Sequence, residues 1–230
     1  MSVIRAVLFD VGGPINTEIE HERLIDAEIV AALGAEGVHV DRASYADASA
    51  WAVEHFAPDA HTAIIWRFSG GDRALAQRLH RRMMTRAHAR NTFELRDGIS
   101  DVIEELHGRG LRLGLAANQP VAMIAVLDAH GLGQHFHHRE VSGVHGYRKP
   151  DVRLFLRCCD DLGVEPAECI MIGDRIDNDV APARLLGMRT ILFRTGRHIA
   201  QQPRSADEVP DEEVRTVMEL RAALDELLAV

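Results

Sequence analysis

Two apolar runs of the sequence are each followed by an aspartate, and a lysine lies between them in the chain. Asp10 follows the run at 7–9, Asp174 follows the run at 170–173, and the lysine is Lys149. Such runs predict buried strands of a parallel sheet, which collects its ligands at the carboxyl ends of its strands. We therefore expect the two carboxylates to lie close together. Acids with one cation at such an edge indicate phosphoryl chemistry.

The lysine is informative because the chain otherwise takes its positive charges from arginine. Lys149 is the only lysine among the 26 lysines and arginines. A lysine ammonium is a compact point charge, whereas a guanidinium is a broad fork. A small site that needs one cation near a phosphoryl oxygen distinguishes between them. The position between two predicted strands favours such a site over a chance lysine on a surface loop.

Four short motifs, in this order, resemble those of the haloacid dehalogenase superfamily, a Rossmann-like group made up mostly of magnesium-dependent phosphatases. They are Phe9-Asp10-Val11-Gly12-Gly13, Leu113-Gly114-Leu115-Ala116-Ala117-Asn118, Lys149-Pro150-Asp151 and Gly173-Asp174-Arg175-Ile176-Asp177-Asn178-Asp179. The resemblance covers nearly the whole chain, and the fourth motif is the most specific. It implies a magnesium-dependent hydrolase acting on a small phosphorylated substrate.

The resemblance also implies a role for each matched residue. Asp10 would attack phosphorus and form an aspartyl-phosphate, and Lys149 would stabilise the charge on the transferring group. The implied Mg²⁺ ligands are Asp10, the Gly12 carbonyl, Asp174 and Asp179, the last directly or through water. The implied contacts to the substrate phosphate are Gly12, Gly13, Ala117, Asn118 and Lys149.

Two positions depart from the family pattern. The first motif has Gly12 where the family has a second aspartate, which serves as general acid and base, and the second motif has Ala117 where the family has serine or threonine. A positioned general acid or base contributes about 10²- to 10⁴-fold to a rate, so its loss slows the chemistry without abolishing it. The lost hydroxyl at Ala117 is worth about 1–3 kcal/mol to a charged acceptor. These departures favour substrates with good leaving groups, such as acyl phosphates.

Three residues outside the motifs are further candidates. Glu18 and His21 are the nearest replacements for the missing acid, although a solvated helix face also explains them. Arg67 lies in the segment 66–72, which reads as a connector between helices and as a possible specificity loop. The histidines at 135, 137 and 138 fit no common zinc site and read as solvated surface.

Two alternatives to the phosphatase remain open. The glycine at position 12 with the alanine at position 117 favours a phosphometabolite-binding or regulatory protein descended from an enzyme. A metal-independent hydrolase of the dehalogenase type also lacks the second aspartate, but such enzymes do not normally keep the acids of the fourth motif.

Composition excludes several classes of protein. A net charge of −9 argues against nonspecific binding to nucleic acid. No stretch approaches the roughly 18 apolar residues of a membrane span. Three cysteines make no disulfide framework and read as packing residues, so we expect a reduced, cytoplasmic protein. The state of assembly is either a monomer or a homodimer.

Periodicity predicts an α/β fold with a doubly wound parallel sheet and an inserted all-helical block. The resemblance implies that the sheet is a Rossmann-like core and that the block is a type 1 helical cap. The core comprises residues 1–17 and 92–230, and the cap comprises residues 18–91. The predicted strands are 3–10, 111–117, 139–143, 168–173 and 189–194. The predicted cap helices are 24–33, 45–56, 61–68 and 73–88, and those of the core are 98–107, 121–130, 153–162, 180–186 and 211–228.

Overall fold

The computed structural model describes residues 3–87 and 92–229. It forms two compact units, one made of Met1–Thr17 with Leu95–Val230 and the other of Glu18–Glu94. Residues 88 and 91, the predicted ends of a helix and of the cap, lie outside the described residues. The assignment of the units as catalytic core and cap stays a prediction.

The first unit contains one five-stranded sheet in which every pairing is parallel. The strand order is β2-β1-β3-β4-β5. The strands are β1 (Ala6–Phe9), β2 (Arg112–Leu115), β3 (Cys169–Gly173), β4 (Arg189–Phe193) and β5 (Glu212–Val214). All residues of β1 and β3 are buried, as expected for central strands covered on both faces. The predicted α/β fold with a parallel sheet is confirmed.

Six helices accompany this sheet in the part of the chain that the structure describes. They are α5 (Ile99–Gly108), α6 (Ala122–Ala129), α7 (Ser142–His145), α8 (Val152–Leu162), α9 (Ala181–Leu185) and α10 (Val217–Leu228). A π-helical turn at Ile176–Val180 runs directly into α9. Helix α8 buries Leu154, Phe155 and Leu162 in a cluster that also holds Leu8 of β1 and Met171 of β3. Apolar helix faces thus cover the strands that end in the acidic residues.

Among the described residues of the second unit, the helical unit, every regular element is a helix. Its helices are α1 (Ile19–Ala35), α2 (Arg42–Glu54), α3 (Ala60–Phe68) and α4 (Arg73–Ala87). Asp41 and Asp59 begin α2 and α3, since their carboxylates accept from Ser44 N at 2.7 Å and Thr62 N at 2.6 Å. The helices share an apolar core that includes Ile29, Leu33, Ile64, Ile65 and Leu79.

Two predicted core elements differ from the structure. The predicted strand 139–143 is wrong: only His138 bridges to Gly114, and the chain then turns into α7, where Ser142 N donates to Ala117 O at 3.0 Å. The predicted tail helix 211–228 begins later, at Val217, because its first residues form the edge strand β5. Asp211 anchors that strand by accepting from Thr190 N of β4 at 2.9 Å.

The predictions for the histidines and cysteines had different outcomes. His138 was predicted as solvated surface but is 2% exposed, and its Nδ1 lies 2.9 Å from Asp161 Oδ2. The prediction was wrong because a short bridge to β2 draws this residue into the sheet. The cysteines at 158, 159 and 169 are buried, as predicted for packing residues. Among the described residues, no helix has the length and apolarity needed to cross a membrane.

Candidate active site

The register of the sheet places Asp10 next to the carboxyl end of β3. Phe9 pairs with Ile172, and Asp10 N donates to Ile172 O at 2.8 Å. Because β3 ends at Gly173, Asp174 leaves the sheet at the same edge. The aspartates that follow the two apolar runs are therefore brought together, as parallel strands require.

Lys149 lies between two carboxylates. Its Nζ is 2.7 Å from Asp10 Oδ2 and 2.6 Å from Asp179 Oδ1. Lys149 is 4% exposed, Asp10 9% and Asp179 0%. Charged groups this far from water are retained when they are paired and hydrogen-bonded. The lysine that the sequence singles out is thus the buried cation of the acidic cluster.

Burial and pairing compete in setting the protonation of this cluster. Burial disfavours the charge on Lys149, but the carboxylates of Asp10 and Asp179 outweigh it and raise the pKa of the lysine above its ordinary value. Burial raises the pKa of Asp179 to about 6, while the ammonium of Lys149 opposes that rise. One cation shared by two carboxylates leaves excess negative charge, which favours an additional cation at the site.

Backbone amides fix Asp179 from the other side. Its Oδ2 accepts from Asp174 N at 3.1 Å and from Arg175 N at 3.0 Å. Gly173 is required beside it, since a Cβ there would overlap the Asp179 carboxylate. Both Asp179 oxygens are therefore occupied by protein donors, which fits a ligand that reaches a metal through water better than one that binds it directly.

The carboxylates of Asp10, Asp174 and Asp179 suit a hard divalent cation. One ligand oxygen from each lies within 4.8 Å of the others. An octahedral Mg²⁺ with ligands at about 2.1 Å places opposite ligands about 4.2 Å apart, so the three oxygens fit with small movements. Asp174 is only partly buried, so its side chain is open to an ion with retained waters.

The glycines of the first motif have different constraints. Gly13 has φ +80°, and a Cβ on it would lie 2.6 Å from Asp174 Cβ. Gly12 is not among the residues of positive φ, so its φ does not by itself require glycine. Gly13 thus lets the first motif pack directly against Asp174, and Gly12 brings no side chain to this loop.

Asn118 is engaged with the backbone of Lys149. Its Oδ1 accepts from Lys149 N at 2.8 Å, and its Nδ2 donates to Lys149 O at 3.0 Å. The preceding Ala117 is fully buried and its carbonyl accepts from Ser142 N. Asn118 therefore positions the lysine, a role that the sequence analysis did not assign to it, and its contact with a substrate phosphate stays a prediction.

Arg96 and Gln201 support the site but were missed by the sequence analysis. Arg96 donates to Gly13 O from Nε at 2.9 Å and from Nη2 at 2.6 Å. Gln201, 1% exposed, accepts from Ile176 N at 2.7 Å and donates to Asp177 Oδ1 at 3.0 Å. No sequence pattern marks either residue, because each acts on a motif from a distant part of the chain.

The remaining candidates lie in the helical unit. Arg67 lies in the last turn of α3, not in the following connector, and its Cζ stands 5.1 Å from the centroid of the Trp51 ring. Burial lowers the pKa of His21, and its Nδ1 lies 3.1 Å from Thr92 Oγ1. Glu18 precedes α1 with φ 59°. Their roles in catalysis or substrate binding stay predictions.

Comparison with known proteins gives a family and several relatives. The family model for a haloacid dehalogenase-like hydrolase matches residues 4–187. A glyceraldehyde 3-phosphate phosphatase of Methanopyrus kandleri is 35% identical over 114 residues, 50% of this chain and 47% of that protein. A phosphoserine phosphatase of Thermus thermophilus is 35% identical over 119 residues, 51% of this chain and 46% of that protein. The chain spans about half the length of these curated relatives.

A solved structure matches the fold over a larger share of the chain. It is described as a predicted phosphoglycolate phosphatase from Haemophilus somnus, with a TM-score of 0.73 and 16% identity, and the match covers 97% of this chain and 99% of that chain. At this identity the likeness shows the fold alone, a Rossmann-like α/β architecture.

Proposed function

Because this chain belongs to the haloacid dehalogenase-like hydrolase family, we propose that it is a magnesium-dependent phosphatase acting on small phosphorylated metabolites. The observation that carries the proposal is the pairing of Asp10 with Lys149 at 2.7 Å, inside a cluster of three carboxylates. A carboxylate at a strand end, one buried cation and a set of oxygen ligands are the parts that phosphoryl transfer uses. The phosphatase relatives of this chain support the same reaction class.

Asp10 is the proposed nucleophile. A carboxylate oxygen of Asp10 forms a bond to phosphorus while the bond from phosphorus to the leaving oxygen breaks. Water then attacks the aspartyl-phosphate, releases inorganic phosphate and regenerates the carboxylate. Lys149 holds one oxygen of Asp10 and offsets negative charge on the transferring group.

Magnesium would be held by Asp10, the Gly12 carbonyl and Asp174, with Asp179 reaching it through water. The bound ion would supply electrostatic stabilisation of the phosphoryl oxygens. The excess carboxylate charge and the spacing within 4.8 Å support this assignment. Lys149 limits the number of carboxylates that the ion must neutralise, since it already pairs with two of them.

The glycine at position 12 shapes the choice of substrate. Without a general acid the leaving oxygen departs unprotonated or takes a proton from water, so leaving groups of low pKa suffer least. We therefore propose acyl or enol phosphates, or other small metabolites with good leaving groups, as the preferred substrates. Alkyl phosphates, the class to which phosphoserine belongs, would be hydrolysed more slowly.

The decisive experiment compares the wild type with Asp10→Asn and Gly12→Asp on acetyl phosphate, para-nitrophenyl phosphate and an alkyl phosphate such as phosphoserine. We expect wild-type turnover that needs Mg²⁺ and is abolished by EDTA, and no turnover by Asp10→Asn. Gly12→Asp places an acid at a position whose φ does not require glycine, so the variant should be about 10²-fold faster on an alkyl phosphate and less improved on acetyl phosphate.

Specific results would contradict the proposed mechanism. They are activity of the Asp10→Asn variant equal to that of the wild type, and wild-type activity that EDTA does not change. A substrate preference for alkyl phosphates over acetyl phosphate would remove the argument based on Gly12. Circular dichroism of each variant establishes that loss of activity is not loss of fold.

A phosphometabolite-binding protein is the second candidate, and one observation favours it. Gly12 provides no side chain for proton transfer, which a binder does not need. Calorimetric titration with Mg²⁺ and inorganic phosphate distinguishes the two functions. Saturable phosphate binding without turnover of any phosphoester or acyl phosphate would establish the binder, whereas slow turnover that depends on Asp10 establishes the enzyme.

A further inference from the structure

The helical unit contains a cavity of about 510 Å³ between α3 and α4. This volume lies within the range of about 300–1,000 Å³ that is usual for small-molecule sites. The cavity is lined by Thr62, Ile65, Trp66, Arg73, Ala76, Gln77, His80 and Arg81. All of these residues belong to the helical unit, and none is part of the acidic cluster.

The two walls of the cavity are held in place by short-range contacts. The connector between α3 and α4 is Ser69–Asp72, and the Asp72 carboxylate accepts from Ala74 N at 2.8 Å and Leu75 N at 3.0 Å to begin α4. Thr62 Oγ1 and His80 Nδ1 lie 3.3 Å apart and join the helices across the cavity. The cavity is therefore a feature of a helical hairpin whose two ends are tied.

One part of the cavity lining is apolar. Ile65 is 1% exposed and belongs to the core of the unit, whereas Trp66 is 45% exposed and contributes a large aromatic surface. An indole left open to water beside aliphatic side chains favours contact with a planar or branched apolar group. The cavity thus provides apolar surface that the fold itself does not cover.

The other part is cationic. Helix α4 contains five arginines and no carboxylate, in a chain whose net charge is −9. Arg73 lines the cavity, and its guanidinium group makes no hydrogen bond or ion pair with the residues that the structure describes. Guanidinium groups bind carboxylate, phosphate and sulfonate through paired N–H donors, and they also stack on aromatic surfaces. An unpaired arginine beside an exposed indole is therefore suited to an anion with an apolar body.

We propose that this cavity binds an amphipathic organic anion. The apolar body of the ligand would contact Trp66 and Ile65, and its carboxylate, phosphate or sulfonate would be bound by Arg73. The proposal does not rest on phosphatase activity, because it uses none of the residues assigned to the reaction.

The test uses 1-anilinonaphthalene-8-sulfonate, an aromatic anion, and N-phenyl-1-naphthylamine, which has the same aromatic body without the sulfonate. Binding is followed on the full chain by probe fluorescence, with energy transfer from tryptophan as a second signal. We expect saturable binding of one anionic probe per chain. The uncharged probe should bind about tenfold more weakly, since it lacks the charge-assisted bond.

Matched variants locate the site. Arg73→Gln should weaken binding of the anionic probe about fivefold to tenfold, while Arg82→Gln, the same change on an exposed residue of α4 outside the cavity lining, should leave it within about twofold. Gln77→Glu adds a negative charge to the lining without a change of shape and should also weaken it. Asp10→Asn should bind the probe as the wild type does, so an inactive enzyme would leave this inference intact.

Three results would overturn the proposal. They are equal affinity for the charged and uncharged probes, equal effects of Arg73→Gln and Arg82→Gln, and binding that does not saturate. The first result would mean that the cavity binds the probes by its apolar surface alone. The second would mean that the general positive charge of α4, and not Arg73 in particular, attracts the anion. Circular dichroism of the variants distinguishes a local effect from unfolding, and Gln77→Glu tests the site should Arg73→Gln fail to fold.

Discussion

Replacement of Lys149 by methionine tests whether the buried cation stabilises the protein as well as the proposed reaction. Methionine has about the length of lysine but carries no charge. In the wild type, Nζ lies 2.7 Å from Asp10 Oδ2 and 2.6 Å from Asp179 Oδ1, with Lys149 only 4% exposed. The substitution leaves the two carboxylates facing each other without a counter-charge.

Removal of one partner from a buried ion pair costs about 3–5 kcal/mol. Asp179 keeps its two bonds from the amides of Asp174 and Arg175, which limits the loss at that side. We therefore expect Lys149→Met to lower the free energy of unfolding by about 3–5 kcal/mol, a large share of the roughly 5–15 kcal/mol of an ordinary domain. Added Mg²⁺ should recover part of the loss, because it supplies positive charge to the same carboxylates.

Urea unfolding in EDTA and in Mg²⁺, followed by far-ultraviolet circular dichroism, measures both effects. Arg23→Met is the matched control: Arg23 Nη2 lies 2.7 Å from Glu20 Oε1, a distance equal to that of the buried pair, but its side chain is 69% exposed. That control should be close to the wild type. A loss below about 1 kcal/mol for Lys149→Met, or an equal loss for both variants, would refute the reasoning.

Three further predictions use other parts of the fold. Gly13→Ala forces a Cβ to 2.6 Å from Asp174 Cβ at φ +80°, so calorimetry should show that the affinity for Mg²⁺ is reduced about tenfold or more. The control is Gly110→Ala, which has the same backbone strain, with φ +81°, but nothing within 4 Å of its Cβ, and it should bind Mg²⁺ as the wild type does. Asn118→Ala removes both bonds to the backbone of Lys149 and should cost about 1–3 kcal/mol in urea unfolding, and an unchanged midpoint would contradict its positioning role. Burial lowers the pKa of His138, so the unfolded chain binds its proton at higher pH than the folded chain. Wild-type stability should therefore fall as the pH decreases from about 7.5 through 6.5 towards the folded pKa, and His138→Gln should show a smaller fall over that window.

The sequence predicted the sheet because its central strands are continuous apolar runs. β1 and β3 are buried along their length, β4 is buried after its first residue, Arg189, and all three lie within the predicted strands. β5 was missed, since Glu212 and Glu213 carry charges into an edge strand and the pattern there resembles the start of a helix. The strand predicted at 139–143 failed for the opposite reason: Val141 is apolar and buried, but its burial comes from the turn into α7.

The candidate site was predictable where one motif contains the whole interaction. One oxygen of the Asp179 carboxylate accepts from the amides of Asp174 and Arg175 in the same motif, so the spacing of these residues in sequence was informative. Asn118 and Arg96 could not be assigned in the same way, because their partners, Lys149 and Gly13, are 31 and 83 residues away. Arginine is also too frequent in this chain for a single one to stand out.

The position of Lys149 shows how the parts of the site depend on one another. Lys149 lies on no strand, so the sheet register that places Asp10 does not place the lysine. Its backbone is fixed by Asn118, which follows β2, and its Nζ is fixed by two carboxylates that follow β1 and β3. Since β1 lies between β2 and β3, these three strands end around one point and converge on the lysine from both sides. We therefore expect a change at any of the three strand ends to alter the charge that faces Asp10, so that residues that touch no substrate would still influence the proposed reaction.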